Sequence, residues 1–480
     1  MSARPARSAR ELLRDLGSLV LGEGVAKLAG FAAFAYLART LPPDGYGAVE
    51  VASAISMLFF LVVDFGFAPI GARELARDRS RARWLAAAIP TLRLALAAAS
   101  VACIWIASLF LDQPEPARAL VRVFGLSLLM APWVLNWLFQ GLGRMLVVAS
   151  AQALRMSVFA LAVVLVVSES APLWRVGAAE LVSTALMALY YVAMQARVAG
   201  APRLTRDREG LLHLLRDATP IGLSRILWAL SQYAGTVILA AFAPAADVAW
   251  YGAAHRLTTA LGAFVQLYHF NLFPALVEAA HASHDRLREL TAPLLRATAW
   301  LGAFGGLFGV AFGGRLCALL YGEPFAQSGM AFGWLVWTLA ASLVGAHARF
   351  VLLALGQQRL ELAANATGAA VSVLGGLALV PLFGGRGAAA ALVAGTLATW
   401  FAAHALATRA ARAALPGFGV LLRPALGCAA AALAGRWLPI GGELARGALP
   451  LLALALAAPI VDPALRRDAL RLLRFRRAPR

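Results

Sequence analysis

The sequence is built from long apolar runs, each about 18–25 residues, the length at which an α-helix crosses about 30 Å of hydrocarbon. Hydrophobic residues make up 61% of the 480 residues and charged residues 14%, whereas ordinary soluble domains contain roughly 25% charged residues. Backbone polar groups in lipid need internal partners, so spanning segments are helices or closed barrels. The runs lack the alternation of polar and apolar residues that is typical of barrel strands. The sequence therefore predicts an all-α integral membrane protein.

Fourteen transmembrane helices are predicted from these runs. The first contains Glu23 and Lys27 and is longer than the roughly 7–15 apolar residues of a signal peptide, so we interpret it as an uncleaved span. The predicted spans are 16–39, 48–70, 84–111, 118–140, 146–168, 173–196, 217–243, 249–276, 293–313, 327–354, 360–383, 387–409, 421–439 and 444–461.

The basic residues indicate an orientation for these spans. The net charge is +19, and arginines concentrate in the loops 71–83 and 197–216 and in the C-terminal tail, whereas the loops 41–47, 111–116 and 243–247 are nearly free of them. Cytoplasmic loops carry the excess of basic residues, so both termini are predicted to be cytoplasmic. Topology and contact with anionic lipid headgroups account for the charge, and no nucleic-acid partner is predicted.

Weak internal repetition divides the spans into two sets of six. The tetrapeptide LLRD at 12–15 opens the first span and recurs at 214–217, where the seventh opens. The repeat predicts an N-lobe (1–200), a C-lobe (201–412), two additional helices (413–462) and a basic cytoplasmic tail (463–480). Six helices per repeat make the two lobes parallel repeats about an axis normal to the membrane. A substrate site is then expected at their interface, near the bilayer midplane.

Three short segments carry a family resemblance: 37–47 (LARTLPPDGYG), 64–67 (DFGF) and 73–77 (RELAR). They are similar to the L-A-R-x-L-G-P-x-x-Y-G, D-x-G-[LF] and R-E-[IL]-A-R patterns of polysaccharide-biosynthesis (Wzx-type) flippases. Pro42 departs from the glycine that the family often has there. The resemblance implies membership of the multidrug/oligosaccharidyl-lipid/polysaccharide (MOP) superfamily, whose members have two six-helix lobes around a central cavity that opens alternately to either side.

The resemblance also implies a function. The expected substrate is an undecaprenyl-pyrophosphate-linked oligosaccharide for cell-surface polysaccharide or O-antigen synthesis, flipped across the bacterial inner membrane. Membrane lipids are expected partners, and polysaccharide polymerase or assembly proteins are further ones. The alternatives are a drug/cation antiporter or a lipid II flippase of the same superfamily, or a non-transporting scaffold of polysaccharide assembly.

Charged residues within spans are the candidates for binding the pyrophosphate, because charge at membrane depth is costly and is usually retained for function. Lys27 lies about 16 Å along the first span and shares a helix face with Glu23, four residues earlier. We expect Lys27 to contact the pyrophosphate, and Glu23 to neutralise it in the empty state or to bind a coupling cation. The alternative is a structural ion pair.

Spans seven and eight supply the remaining candidates. Arg225 and Gln232 lie on span seven, and a polar stripe on one face of span eight is formed by His255, Thr259, Gln266 and His269, with Arg256 beside it. Substrate contact is predicted for Arg225, Arg256, Gln232, Gln266 and His269. Gating or ion coupling is predicted for Asp64 and His255, since histidine titrates near neutral pH. Asp64 is expected to pair with Arg73 at the cytoplasmic end of its span.

Other classes of protein lack support in the sequence. Lys27 is the only lysine and follows Ala26, whereas a P-loop has glycine before its lysine. The cysteines Cys103, Cys317 and Cys428 are isolated, and no metal or cofactor site is predicted. No Asp-x-Asp pair occurs and no loop is long enough for a catalytic domain. The protein is therefore predicted not to be an enzyme.

Overall fold

A computed structural model of the protein describes residues 9–111, 113–409, 412, 415–437 and 443–467. Within them the regular secondary structure is helical. The helices are α1 (Ala9–Thr40), α2 (Pro43–Asp64), α3 (Phe67–Arg77), α4 (Ala82–Phe110), α5 (Glu115–Leu126), α6 (Asn136–Leu142), α7 (Met145–Val166), α8 (Trp174–Ala196), α9 (Arg208–Phe242), α10 (Ala245–Ala282), α11 (His284–Tyr321), α12 (Ser328–Ala354), α13 (Gln358–Arg409), α14 (Leu422–Trp437) and α15 (Glu443–Val461). Short 3₁₀ segments join some of them.

The predicted membrane architecture is confirmed. Ten helical segments of the described chain are long and apolar enough to cross a membrane, and two shorter apolar helices, Phe418–Ala434 and Gly447–Val461, fall on predicted spans thirteen and fourteen. Helix α1 covers the first predicted span, and α13 covers both 360–383 and 387–409. Wherever the structure describes them, the fourteen apolar runs therefore lie on helical segments.

Helix α13 is a tight hairpin rather than a single rod. Its corner is Gly384, whose φ of +52° and ψ of −132° are not helical. On either side the arms are in close contact, since a Cβ added to Gly395 would lie 1.9 Å from Ser372 Oγ, and one added to Gly368 would lie 1.7 Å from Thr399 Oγ1. Small residues allow two membrane helices to approach this closely, so the glycines explain why one run of helix provides two spans.

The second and fourth predicted spans are not the continuous helices that hydropathy suggested. The second breaks between α2 and α3, where Phe65 has φ +38° and Gly66 has φ +76°. The fourth consists of α5, a 3₁₀ segment over Ser127–Trp133 that contains Pro132, and α6. Proline removes a helical hydrogen bond and glycine permits the left-handed conformation. Both breaks consist mainly of apolar residues, so a hydropathy profile does not reveal them.

The chain forms two compact units. The first unit comprises residues 1–229 with 244–248. Its core is aromatic and aliphatic, with Phe67, Trp137, Phe139 and Tyr191 fully buried. Helices α1 and α7 run parallel in it, because Gly22 faces Ala149 and Gly30 faces Met156.

The second unit comprises residues 230–243 with 249–480. One of its cores is formed where α14 and α15 pack on α11 around Trp300, Cys428 and Leu454. The lobe boundaries predicted from the repeat, 1–200 and 201–412, remain a prediction.

Candidate functional site

A buried carboxylate in the first unit binds two arginines from different helices. Asp64 ends α2, and its side chain and that of Arg93 on α4 are each 3% exposed. Arg93 donates from Nη2 to Asp64 Oδ1, and from Nη1 to the carbonyl of Val134 at 3.0 Å. Arg225 on α9 donates from Nη1 to Asp64 Oδ2 at 2.5 Å. The resulting cluster of Asp64, Arg93 and Arg225 is called the arginine pair site below.

The DFGF motif places this carboxylate by breaking the helix immediately after it. The turn at Phe65 and Gly66 presses against the backbone of α9, since a Cβ on Gly66 would lie 2.7 Å from Gly222 N. A Cβ on Gly222 would in turn lie 2.6 Å from the Phe65 carbonyl. Arg225 follows Gly222 by three residues and so lies near the same face of α9. The two glycines therefore let α9 approach closely enough for Arg225 to reach Asp64.

The arginine pair site carries a net charge of +1, since one carboxylate faces two guanidinium groups. Arg93 is inaccessible, whereas the Arg225 side chain is 40% exposed. A guanidinium has five N–H donors, so Arg225 has donors besides the one directed at Asp64. Guanidinium groups bind phosphate oxygens with strong, geometrically defined hydrogen bonds. The site can therefore accept an anion at its exposed arginine without breaking the buried ion pair.

The expected pairing of Asp64 with Arg73 was wrong. Arg73 lies 3.7 Å from Glu74, which also binds Arg81 at 2.5 Å. The turn at Phe65 and Gly66 redirects the chain before Arg73 is reached. Arg93 was not predicted as a site residue, although a single arginine within the apolar run 84–111 was a usable signal.

Lys27 lies on the exposed side of α1, whereas Gly22 and Gly30 of the same helix pack against α7. The side chain of Glu23 is outside the described part of the structure. The predicted pairing of Glu23 with Lys27 therefore remains a prediction.

The polar residues of α9 and α10 differ in their environments. His255 is buried, with its ring stacked on Tyr251 at a centroid distance of 5.8 Å and edge-on to Tyr233 at 5.8 Å. Gln232 and Arg256 are half-buried. We therefore place His255 in an aromatic environment within the second unit.

The later part of the α10 stripe is split between buried and exposed positions. His269 is buried, donates from Nδ1 to the Val265 carbonyl at 2.9 Å, and lies 5.0 Å from the His347 ring. Thr259 and Gln266 are exposed. The polar residues of α10 therefore do not share one environment. The roles predicted for them remain predictions.

Two further arginines in predicted spans, Arg155 and Arg349, each form an ion pair with one carboxylate. Arg155 binds Glu180 at 2.6 Å within the first unit. Arg349 binds Glu361 at 2.6 Å within the second, and Asn365 donates to the same carboxylate at 2.7 Å. These pairs are neutral, whereas the arginine pair site is positive.

Comparison with known families gives one match that covers most of the first unit. A sequence profile of the family described as "Polysaccharide biosynthesis protein" matches residues 12–280, more than half of the chain. No curated protein sequence matches the chain significantly.

Several solved structures share the fold at low sequence identity. A structure described as "Lipid II flippase MurJ, inward closed conformation" is 11% identical, with a TM-score of 0.74 over 94% of this chain and 99% of that one. An inward-facing multidrug resistance MATE family transporter of the MOP superfamily is 16% identical, with a TM-score of 0.63 over 79% and 93%. A MOP superfamily transporter from Pyrococcus furiosus is 15% identical, with a TM-score of 0.56 over 88% and 96%. These likenesses show that the chain has the fold of these structures.

Proposed function

Because the chain belongs to the polysaccharide biosynthesis protein family, we propose that it is a flippase that moves an undecaprenyl-pyrophosphate-linked oligosaccharide across the bacterial inner membrane for surface polysaccharide or O-antigen synthesis. The observation that supports this substrate class most strongly is the arginine pair site, where a net positive charge ends in a partly exposed guanidinium. A pyrophosphate headgroup needs such donors, because an unpaired anion in a low-dielectric environment is very costly.

In this proposal Arg225 and Lys27 receive the pyrophosphate while the prenyl chain stays in lipid. Gln232, Gln266, Arg256 and His269 contact the sugars or the remaining phosphate oxygens, and Asp64 and His255 act in gating or ion coupling. Glu23 neutralises Lys27 in the empty state. The two predicted lobes alternate access to the site, assisted by a proton or ion gradient and without enzymatic chemistry. Both termini lie in the cytoplasm.

Structures with this fold are described with different substrates, so the fold alone does not identify the substrate. The structure from Pyrococcus furiosus is described as having a binding pocket of reverse polarity that suggests a different function, and the MurJ structure is described as a lipid II flippase. The family profile favours a polysaccharide precursor over lipid II or a drug. A cationic site also favours an anionic headgroup over a cationic drug.

The experiment is a flipping assay in proteoliposomes with the full chain and an undecaprenyl-pyrophosphate-linked oligosaccharide, with lipid II and a cationic drug in parallel arms. Arg225→Ala and Lys27→Ala should each lower the flipping rate about 10–100-fold, the range expected for one charge-assisted hydrogen bond. Arg286→Ala is the control, since Arg286 is exposed in the first turn of α11, 3.8 Å from the exposed Glu289.

Three outcomes separate the alternatives. Flipping of lipid II or export of the drug in preference to the oligosaccharide would overturn the substrate. No transport of any of the three by the unaltered protein would favour the scaffold. Unchanged flipping in both alanine variants would overturn the site but not the function.

A further inference from the structure

We propose that Arg93, which no ligand can touch, sets the charge of the arginine pair site and is therefore a positioning residue for anion binding at Arg225. The inference rests on the proposed function, because it concerns how that site recognises a phosphate-containing headgroup. It names a residue that the sequence motifs did not mark, on a helix outside the three segments of family resemblance.

Arginines in the predicted spans differ in the number of charges beside them. At Arg155 and Arg349 one carboxylate accompanies one guanidinium, so each pair is neutral. At Asp64 there are two guanidinium groups for one carboxylate. If Arg93 were absent, Asp64 would neutralise Arg225 in the same way, and the exposed arginine would attract an anion much less strongly.

The geometry gives Arg93 and Arg225 different roles. Arg93 occupies Asp64 Oδ1 and Arg225 occupies Oδ2, so neither displaces the other. Arg93 is held from a second side by the carbonyl of Val134, in the break between the 3₁₀ segment and α6. Val134 is itself buried. Arg93 thus cannot swing out to meet a ligand and acts only through Asp64 and through its charge.

The size of the effect follows from Coulomb's law. A unit charge at about 8 Å, in an effective dielectric of about 20, changes the affinity for a singly charged ligand roughly 30-fold. Screening by water at the exposed side of Arg225 reduces this figure, and a doubly charged pyrophosphate raises it. We therefore expect a loss of about 10–30-fold in anion affinity when the charge of Arg93 is removed.

The test compares full-length variants in nanodiscs, with undecaprenyl pyrophosphate and inorganic pyrophosphate as probes and calorimetry as the readout. The net charge at the site is +1 in the unaltered protein, 0 in Arg93→Gln, and +1 again in the double variant Asp64→Asn with Arg93→Gln. Arg93→Gln should weaken binding of both probes about 10–30-fold. The double variant should bind within about threefold of the unaltered protein, although it lacks the buried ion pair.

A matched control removes a membrane arginine from a neutral pair. Arg155→Gln deletes the partner of Glu180 in the same unit and should change the affinity for either probe by less than about threefold. Loss in Arg155→Gln as large as in Arg93→Gln would indicate general destabilisation and overturn the assignment.

The double variant keeps the proposal falsifiable if Arg93→Gln alone fails to fold, because replacing both partners leaves no uncompensated buried charge. If the role of Arg93 is purely structural, the double variant should bind the probes no better than Arg93→Gln does. That result overturns the inference, and so does binding by the double variant that is at least tenfold weaker than binding by the unaltered protein. Unaltered binding in Arg93→Gln also overturns it, while flipping by the unaltered protein would leave the proposed function standing. Failure of the unaltered protein to bind or flip the lipid would instead remove the proposed function.

Discussion

Two buried aspartates, one in each unit, hold two arginines apiece, yet their surroundings differ. The side chains of Asp64 and Asp462 are each 3% exposed. Asp462 follows the end of α15, accepts a hydrogen bond from Arg423 on α14 at 3.1 Å and lies 3.7 Å from Arg296 on α11. Unlike Asp64, it also accepts neutral donors, namely Trp300 Nε1 at 3.2 Å and the Leu465 N–H at 3.3 Å.

The difference indicates that Asp462 anchors helices, whereas Asp64 belongs to the proposed binding site. Burial alone would raise the pKa of the Asp462 carboxyl, but the Trp300 and Leu465 donors and the charge of Arg296 hold that pKa below its usual value. Among the described residues, the partners of Asp462 join the two additional helices to α11 or cap the chain after α15. The donors to Asp64 in the described structure are guanidinium groups, so removal of its charge leaves a cation in a dry environment.

The largest effect is expected from Asp64→Ala, which leaves Arg93 buried without its counter-charge. Removing one partner of a buried ion pair costs about 3–5 kcal/mol of stability. The free energy of unfolding in detergent, or the melting temperature if unfolding is irreversible, should fall more than in any other variant proposed here. Equal stability of Asp64→Ala and Asp462→Ala would show that the two aspartates are equivalent anchors.

The turn that carries Asp64 should be almost as sensitive. Gly66→Ala forces an alanine to φ +76° and brings its Cβ within 2.7 Å of the Gly222 backbone. Backbone strain and the steric clash together should lower the free energy of unfolding by about 2–4 kcal/mol. Gly200→Ala is the matched control, since Gly200 has φ +84° with nothing within 4 Å of the added Cβ. Gly200→Ala should lower the free energy of unfolding by only about 1 kcal/mol, because it causes the backbone strain without the clash. Equal losses in thermal stability would mean that the close approach of α9 contributes nothing.

Asp462→Asn should have a smaller effect, a loss of about 1–2 kcal/mol in the free energy of unfolding. The single asparagine oxygen can accept from Leu465 in place of Oδ1 or from Trp300 in place of Oδ2, so one of the two donors keeps its partner and the other loses it. Arg423 is 52% exposed and is solvated when the charge is lost. Limited proteolysis should show faster cleavage around α14 and α15, while pyrophosphate binding stays unchanged. A loss of pyrophosphate binding would place Asp462 in the binding site and remove the contrast with Asp64.

The smallest effect concerns Asp207, an exposed carboxylate that fixes the segment before α9. It accepts from the Gly210 N–H at 3.1 Å and from Trp84 Nε1 at 2.9 Å, and these donors, Gly210 first, hold its pKa below the ordinary value of 3.8. Its stabilising contribution is therefore present above pH about 4 and is lost as the pH falls through the lowered pKa. Asp207→Asn should melt below the unaltered protein at pH 6, and the difference should shrink as the pH falls below about 4 and through the lowered pKa. A difference that grows on acidification would contradict the sign of the pKa change.

The membrane helices could be predicted from sequence because the length of an apolar run is a local property, and the described residues of all fourteen runs lie on helical segments. The kind of residue at the site could also be predicted, since Asp64 and Arg225 are charges within apolar runs. Their pairing could not, because Asp64 meets residues 29 and 161 positions away. The break after Asp64 is made by apolar residues, so hydropathy did not reveal that the chain turns away from Arg73 there.

The most direct measurement is a structure of the full chain in nanodiscs with an undecaprenyl-pyrophosphate-linked oligosaccharide bound. We predict a pyrophosphate oxygen about 2.7–3.0 Å from the Arg225 guanidinium, a hydrogen-bond distance, with the contact between Arg93 and Asp64 unbroken. A headgroup bound elsewhere, with Arg225 directed only at Asp64 and covered by lipid, would contradict the account.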